Sequence, residues 1–466
     1  MRFTPLSLAL AFALAPIAHA ENLSDTYHAA RAYDAQYAAA RAAFEAGQEA
    51  TAQARAGLLP NVSASGYIRH NDVDTDFGDS EFTSDGAAIS AAQPLFRRQN
   101  QVAYQQARQQ VKIAELQLAI AEQDLILRVS QAYFSVLESQ DNLAFIAAQK
   151  AAITEQLAAA RRNFEVGTAT ITDTHEAQAR YDLAVAQEIA ELNVFSIRVR
   201  ALEKLIGRPA GTLDTLAEGE PLQRDPGGID VWAERAAENN LQARIQQLAK
   251  TIADYEVRRR RAGHYPTLDA VASYSVNNNQ NFGVQQLDTK IATAGLELNV
   301  PLFQGGLVNS QVREAVANRE RAQQDLENAT REASLRAREA WLNVNSGSAR
   351  VRALEQALTS TEAQLESTKL GRDVGVRTSL DVLNAEQQVL SARRDLAAAR
   401  YGYLLALLSL EAAVGTLAED DLAAIDAHLR PPAPAPAAVP ATEPPAAAPA
   451  PAPAPAPRPA PTRAPR

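Results

Sequence analysis

The sequence predicts an α+β fold that is mostly α-helical and is built from two copies of one unit. Three observations predict it. The chain contains an internal duplication, each half carries a proline-free span long enough for a helical rod, and each half contains segments in which apolar and polar residues alternate.

The two ends of the chain are predicted to lie outside this fold. Residues 1–20 contain one cation, an apolar run and an Ala-His-Ala motif. This is the plan of a cleaved secretory signal peptide, so the mature chain is expected to begin at Glu21. Residues 431–466 hold 15 of the 24 prolines, alternating with alanine, and are expected to form a disordered tail.

The composition excludes several classes of protein. The net charge is −10, which argues against a general nucleic-acid binder. Because the chain has no cysteine, it has no disulfide, no thiolate metal site and no cysteine for a lipid anchor. No apolar run approaches the roughly 18 residues of a membrane-spanning helix, so insertion into a membrane would have to use strands.

The duplication defines the predicted organisation. The matched pairs, 206 to 208 residues apart, include Gly57–Pro60 with Gly263–Pro266, Pro94–Phe96 with Pro301–Phe303, Val166-Gly167 with Val374-Gly375, Asp173 with Asp381, and Gly207 with Gly415. We therefore expect a first repeat at 21–207 and a second at 230–430, the latter ending in an equatorial segment. Residues 208–229 are expected to form an equatorial linker, part of a belt around the middle of the molecule.

One long helix is predicted in each repeat, from about Arg98 to Glu165 and from about Asn309 to Asp373. A rod of 68 residues is roughly 100 Å long. The first span carries an apolar stripe at intervals of seven, which is typical of coiled-coil packing: Ile113, Ile120, Leu127 and Phe134. Four helices of about half that length are predicted at Leu23–Ala56, Thr172–Ile206, Val231–Ala262 and Leu380–Val414. Two of these stacked end to end would match one long rod.

A β-hairpin is predicted in each repeat, at 61–95 and 267–302. In the second hairpin the apolar face comprises Leu268, Ala270, Ala272, Tyr274 and Val276 on one strand and Ala292, Ala294, Leu296, Leu298 and Val300 on the other. Strands of about ten residues with one apolar and one polar face suit a barrel between lipid and water. Since a barrel that encloses water needs at least about eight strands, several chains must contribute, in a number that the pattern leaves open.

These features resemble the TolC family of outer-membrane channel-tunnel proteins over nearly all of 21–425. The resemblance rests on Glu21-Asn22-Leu23, Leu58-Leu59-Pro60, Phe164–Gly167, Ile171–Asp173, Pro301–Gly306, Val308–Val312, Asp381–Leu383, Ala399–Tyr401 and Gly415–Leu417. It implies a homotrimer in which four strands from each chain form a shared twelve-stranded outer-membrane barrel. A long α-helical barrel would continue from it into the periplasm of a Gram-negative cell.

The function that the resemblance implies is a passive exit duct for multidrug efflux and type I protein secretion. Its expected partners are a periplasmic membrane-fusion adaptor, an inner-membrane pump of the ABC, RND or MFS type, and outer-membrane lipid. No catalytic residue, metal site or cofactor is expected, because the sequence has no nucleophile motif, phosphate loop or histidine pair. The alternative is a periplasmic coiled-coil adaptor or scaffold without channel activity.

Candidate gate residues lie where the two repeats differ near the glycine turns. The resemblance implies that links between Arg377, Thr172 and Asp173 close the periplasmic entrance. A tyrosine of the family falls on Arg372, so we expect Arg372 to pair with Asp173 instead and to latch the tip together with Arg377. The alternative is that exposed turns simply carry charge, at about 0 to 1 kcal/mol per pair.

Two further sites follow from the resemblance. The family's pore constriction, formed by two aspartates, falls on Asp381 and Asn384, so a trimer would carry one ring of three acids. Block by multivalent cations should therefore be weak, and Asn384→Asp should restore it. The adaptor-docking tips fall on the two turns, at Val166, Gly167, Val374 and Gly375; otherwise these glycines only end helices.

Overall fold

The computed structural model describes residues 20–74, 76, 79–168, 170–217, 227–281 and 284–431, with the backbone alone at 279–281, 284–287 and 379. Residues 1–19 of the expected signal peptide, residues 432–466 of the expected tail and residues 218–226 of the linker lie outside the described residues.

Long and short helices make up most of the fold. The first repeat contains α1 (Leu23–Tyr33), α2 (Ala35–Ala56), α3 (Arg98–Glu165) and α4 (Ile171–Ile206). The second contains α5 (Ile229–Asn239), α6 (Leu241–Arg261), α7 (Leu307–Asp373) and α8 (Ser379–Val414), followed by α9 (Glu419–Asp426). The long helices α3 and α7 have 68 and 67 residues, close to the lengths that the proline-free spans predict.

The short helices that precede the hairpins are each broken once, which corrects the continuous helices expected at 23–56 and 231–262. Asp34 separates α1 from α2 and accepts a hydrogen bond from the backbone N–H of Tyr37 at 2.8 Å. Asn240 separates α5 from α6 and accepts from the N–H groups of Gln242 and Ala243 at 3.0 and 3.1 Å. Each side chain caps a new helix start, so the chain bends without losing these backbone hydrogen bonds.

The two hairpins form one antiparallel sheet. Its strands are β1 (Asn61–Val73), β2 (Ser80–Phe96), β4 (Thr267–Asn281) and β5 (Val284–Asn299), in the order β1-β2-β4-β5. The register aligns Ala64, Ile89, Tyr274 and Ala292 in one row across all four strands. Because side chains alternate between faces, this row places the apolar residues of both hairpins on one side of the sheet.

An ion pair joins the sheet to the start of a rod. The Nε and Nη2 atoms of Arg97, immediately before α3, donate to the two carboxylate oxygens of Asp269 on β4 at 2.8 and 2.6 Å. A fork of this kind fixes the relative orientation of both partners. It therefore ties the second hairpin to the long helix of the first repeat.

A belt at the middle of the rods joins the segment before α1, the linker and the segment after α9. Two-residue strands β3 (Thr215–Leu216) and β6 (Leu429–Arg430) pair antiparallel, and Glu21 bridges Leu213. Asp426 accepts from the backbone N–H of Leu23 at 2.9 Å and from that of the next residue at 3.1 Å. These contacts hold the start of α1, the linker and the C-terminal segment together.

The main hydrophobic core lies at the level of this belt. Tyr133, Phe134 and Tyr401 pack at its centre, where Phe134 stacks on Tyr401 at 5.6 Å between ring centroids. Of the predicted heptad stripe on α3, Phe134 is buried, and Ile113, Ile120 and Leu127 are each partly buried. The rods are therefore anchored near their middle.

The segment Leu380–Val414 in α8 is long and apolar enough to cross a membrane by length and composition, which corrects the expectation that no such segment exists. Its buried residues include Leu404, Leu408 and Val414, which belong to the main core. A core helix passes the same test, and the packing assigns this helix to the core.

The four helices near the sheet, α2, α3, α6 and α7, enclose a groove of about 830 Å³. Glu256 lies in its wall. Burial opposes ionisation, but hydrogen bonds from Arg259, Gln106 and Arg260 together lower the pKa of Glu256 to about 2. This carboxylate is therefore charged at every physiological pH.

Candidate functional site: the tips of the helix pairs

Both helix pairs end in the same glycine turn. Gly167 and Gly375 each have φ = 78°, a left-handed conformation that glycine adopts without steric cost. In the second turn the N–H of Gly375 donates to Arg372 O at 2.9 Å and the N–H of Val376 donates to Gly371 O at 2.8 Å. These bonds satisfy carbonyl groups that the helix end leaves free and close the turn tightly.

Apolar side chains project from both turns. Val166 is 72% exposed, and Val374 and Val376 are 66% and 77% exposed. Leu370, one turn earlier on α7, is also exposed. A cluster of exposed aliphatic residues at the end of a long rod is a suitable contact surface for another protein.

Each tip continues into a helix through a capping box. The Asp173 carboxylate accepts from the N–H of Thr170 at 2.9 Å, and the Thr170 hydroxyl accepts from the N–H of Asp173 at 3.3 Å. Thr378 and Asp381 repeat the arrangement at 2.9 and 3.2 Å. Both predicted acids therefore have a structural role at a helix start, which the sequence reading missed although the Thr-x-x-Asp spacing signals it.

The predicted latch residues lie around these caps. Arg372 donates from Nε and Nη2 to its neighbour Asp373 at 3.1 and 2.9 Å, so within the described protomer it pairs there and not with Asp173. Arg377 lies in the groove that contains Asp381. Within the described part of this one chain, Arg377 makes no side-chain hydrogen bond to Thr172 or Asp173.

Asp381 is held in its charged form. The backbone N–H of Thr378 and then its hydroxyl donate to the carboxylate, and the Arg377 guanidinium adds an attraction, so the pKa of Asp381 lies below its ordinary value. Asn384, three residues later and exposed, lines the same groove of about 320 Å³. The two predicted constriction residues therefore share one surface of α8.

A contact between the two helix pairs was not predicted. Ile153 of α3, Ala184 of α4 and Leu383 of α8 form a small buried cluster, which we call the tip seam. Beside it, Arg180 of α4 donates to Asn384 Oδ1 at 3.4 Å. No local signal marks such a contact, because the partners are about 200 positions apart in sequence.

The comparisons with known proteins agree with this architecture. The family described as outer membrane efflux protein matches the chain twice, at residues 26–208 and 232–416. The chain belongs to this family. The two matches begin 206 residues apart and end 208 residues apart, the same offsets as the internal duplication.

Individual relatives cover nearly the whole chain. Outer membrane protein TolC of Vibrio cholerae is 35% identical over 418 residues, 88% of this chain and 94% of that protein. The proteases secretion protein PrtF of Dickeya chrysanthemi is 32% identical over 422 residues, 87% of this chain and 90% of that protein. The predicted family and the outer-membrane location are confirmed.

A solved structure confirms the fold class. The Campylobacter jejuni CmeC outer membrane channel superposes with a TM-score of 0.72 at 16% identity, covering 88% of this chain and 89% of that one. The family match assigns this sheet and these helices to an outer membrane efflux protein, and the periplasmic adaptor or scaffold considered as an alternative receives no support.

Proposed function

We propose that three copies of this chain form a passive exit duct through the outer membrane, gated at its periplasmic tip. Substrates of efflux and of type I secretion would leave through it, and a periplasmic adaptor with an inner-membrane pump would supply them. The duct itself has no catalytic role.

The observation that carries the proposal is the open sheet. Within the described chain, β1 and β5 each pair with one strand only. In lipid, unpaired backbone groups cost several kcal/mol each, so the edges must pair with further strands. Three sheets of four strands, joined β5 to β1, give a closed twelve-stranded barrel that is wide enough to enclose water.

The two faces of the sheet suit that position. Ile68, Leu296 and Leu298 are 81%, 69% and 63% exposed in the single chain, as a lipid-facing surface requires. The opposite face carries hydroxyl groups, for example Ser63 and Ser90, whose Oγ atoms are 2.8 Å apart. A barrel with this alternation has a hydrated interior.

The tips suit a gate and a docking surface. The α3–α4 turn and the α7–α8 turn lie at the ends of rods roughly 100 Å long, at the opposite end from the sheet. Their exposed valines, Val166 and Val374, are available to an adaptor. Arg377 and Arg372 would form their links to Thr172 and Asp173 between neighbouring helix pairs in the assembled trimer.

The proposal is tested with the full-length chain, expressed with its signal peptide. Membranes are fractionated, the protein is extracted in detergent and its mass is measured by light scattering, and it is then added to planar lipid bilayers. We expect outer-membrane material, a trimer and ion conductance. The proposal would be refuted, and a scaffold favoured, if the protein were recovered from the periplasm without detergent, had the mass of a monomer and produced no ion conductance in bilayers.

A further inference from the structure

Arg180 connects the two helix pairs at the level of the predicted constriction. Its Nη1 atom donates to Asn384 Oδ1 on α8 at 3.4 Å, and its Nη2 atom donates to Glu176 Oε1 on its own helix at 2.8 Å. The Arg180 side chain is 27% exposed, so most of it is packed, whereas its partner Glu176 is 52% exposed.

This cation exists in one repeat only. At the offset of 208 residues, Arg180 corresponds to Gln388 and Glu176 corresponds to Asn384. The neighbouring Ala177 and Ala385 also correspond and are both 4% exposed, which shows that the two helices present equivalent faces here. Glu176 and Asn384 therefore lie at the same height along the duct, one in each helix pair.

The position of Arg180 relative to the tip seam gives it a mechanical role. Leu383, next to Asn384, packs against Ile153 and Ala184 of the other helix pair. Arg180 lies one turn of α4 before Ala184, on the edge of this small apolar contact. Separating α4 from α8 at the tip must break both the seam and the Arg180–Asn384 hydrogen bond.

We propose that Arg180 determines both the ion selectivity and the closure of the duct at its constriction. The acids of this region include Asp173, Glu176 and Asp381, and Arg180 and Arg377 are cations beside them, so Arg180 offsets part of the acidic charge. The bond to Asn384 additionally ties the first helix pair to the second. This inference rests on the proposed function as a duct.

The two roles can be separated by experiment because they respond differently to substitution. Arg180→Gln removes one positive charge per protomer and the bond to Asn384. Asn384→Asp adds one negative charge per protomer and turns the hydrogen bond into an ion pair. Both variants make a trimer more negative by three charges, but the first loosens the helix pairs and the second tightens them.

Purified trimers in planar bilayers provide the test. Selectivity is measured as the reversal potential in a KCl gradient and as block by La³⁺ at low salt. Mean conductance is measured in 1 M KCl, where the Debye length of about 3 Å screens the added charges. Arg198→Gln is the matched control, since it breaks the ion pair to Glu138 of α3 at 3.0 Å, roughly 27 Å further along α4.

We expect both constriction variants to become more selective for cations and to be blocked at an about fivefold lower La³⁺ concentration. Conductance in 1 M KCl should rise roughly threefold in Arg180→Gln and fall in Asn384→Asp. The double variant should have the conductance of Arg180→Gln, because without Arg180 the bond to residue 384 is already lost. The control should leave both readouts unchanged.

Two outcomes would overturn the inference. One is an unchanged reversal potential and conductance in Arg180→Gln; the other is an equal rise of conductance in Asn384→Asp and Arg180→Gln. A wild-type protein that forms no channels would instead refute the proposed function, so the two failures are distinguishable.

Discussion

The tip seam predicts that one leucine controls opening without being needed for the fold. Leu383 is 4% exposed and packs against Ile153 and Ala184, which are each 2% exposed. Replacing a buried leucine with alanine costs about 2 to 5 kcal/mol, and a cluster this small places the cost near the lower value. An entrance ringed by helix pairs widens only when these pairs separate, so the substitution removes contacts that opening would break anyway.

The expected size of the effect follows from the contacts that the substitution removes, because they exist in the closed entrance only. Leu383→Ala should raise the free energy of the closed entrance by about 2 kcal/mol for each seam that separates, with little change in the open one. This corresponds to a roughly 30-fold shift toward the open state per seam. The assay is single-channel recording in planar bilayers, scored as the fraction of time at high conductance.

Leu396→Ala is the matched control. Leu396 is on the same helix, is 8% exposed and belongs to the main core, 13 residues or roughly 20 Å from Leu383. It should lower the melting temperature in detergent at least as much as Leu383→Ala and leave the open fraction unchanged. Equal opening in both variants, or none in Leu383→Ala, would refute the assignment of the seam to the gate.

Three further predictions concern the latch, the pH dependence and the turns. Arg377→Ser should raise conductance because it removes a proposed closing link in all three protomers. The control Arg393→Ser should leave conductance unchanged, because it breaks the 2.7 Å ion pair with Glu362 that joins α8 to α7. Since the folded-state pKa of Glu256 is about 2, below its ordinary 4.5, its contribution to stability is present above pH 4.5 and is lost as the pH falls toward 2. The melting temperature should therefore decrease as the pH is lowered from 4.5 to 2, and it should decrease less in Glu256→Gln. Gly415→Ala should destabilise the trimer by more than about 3 kcal/mol, because φ is 89° and a Cβ atom would lie 2.8 Å from the carbonyl oxygen of residue 239. Gly375→Ala has open space around its Cβ and should cost only about 1 to 2 kcal/mol, measured by chemical denaturation in detergent.

The lengths of the long helices were predictable because no proline interrupts them and a glycine turn follows each one. The predicted span Arg98–Glu165 is the observed α3, and α7 begins only two residues before its predicted start. The breaks at Asp34 and Asn240 were not predicted. A polar residue on a helix surface and a polar residue that caps a new helix look alike in sequence, and only the bend of the chain distinguishes them.

The candidate site was predictable in part for a related reason. Turn glycines and capping threonines act on their own neighbours, so their spacing carries the information. The contacts of Arg180 and Leu383 depend on how two helix pairs lie against each other, and no spacing along one helix encodes this. Comparing the two repeats shows only that Arg180 is one of several charged residues of α4 with an uncharged counterpart, here Gln388.

The uneven distribution of apolar packing explains how one chain combines a stable duct with a movable entrance. In the described chain the main core comprises 31 buried residues around the belt, whereas the tip seam comprises three. Regions with few buried contacts open at a lower free energy than the global unfolding free energy. Each rod is therefore fixed near its middle and held weakly at its tip. Because the tip contacts are few and partly polar, a partner that docked on the exposed valines, as proposed above, would separate them without unfolding the belt. A larger apolar seam would make the tip more stable and would raise the binding energy that a partner must supply to open it.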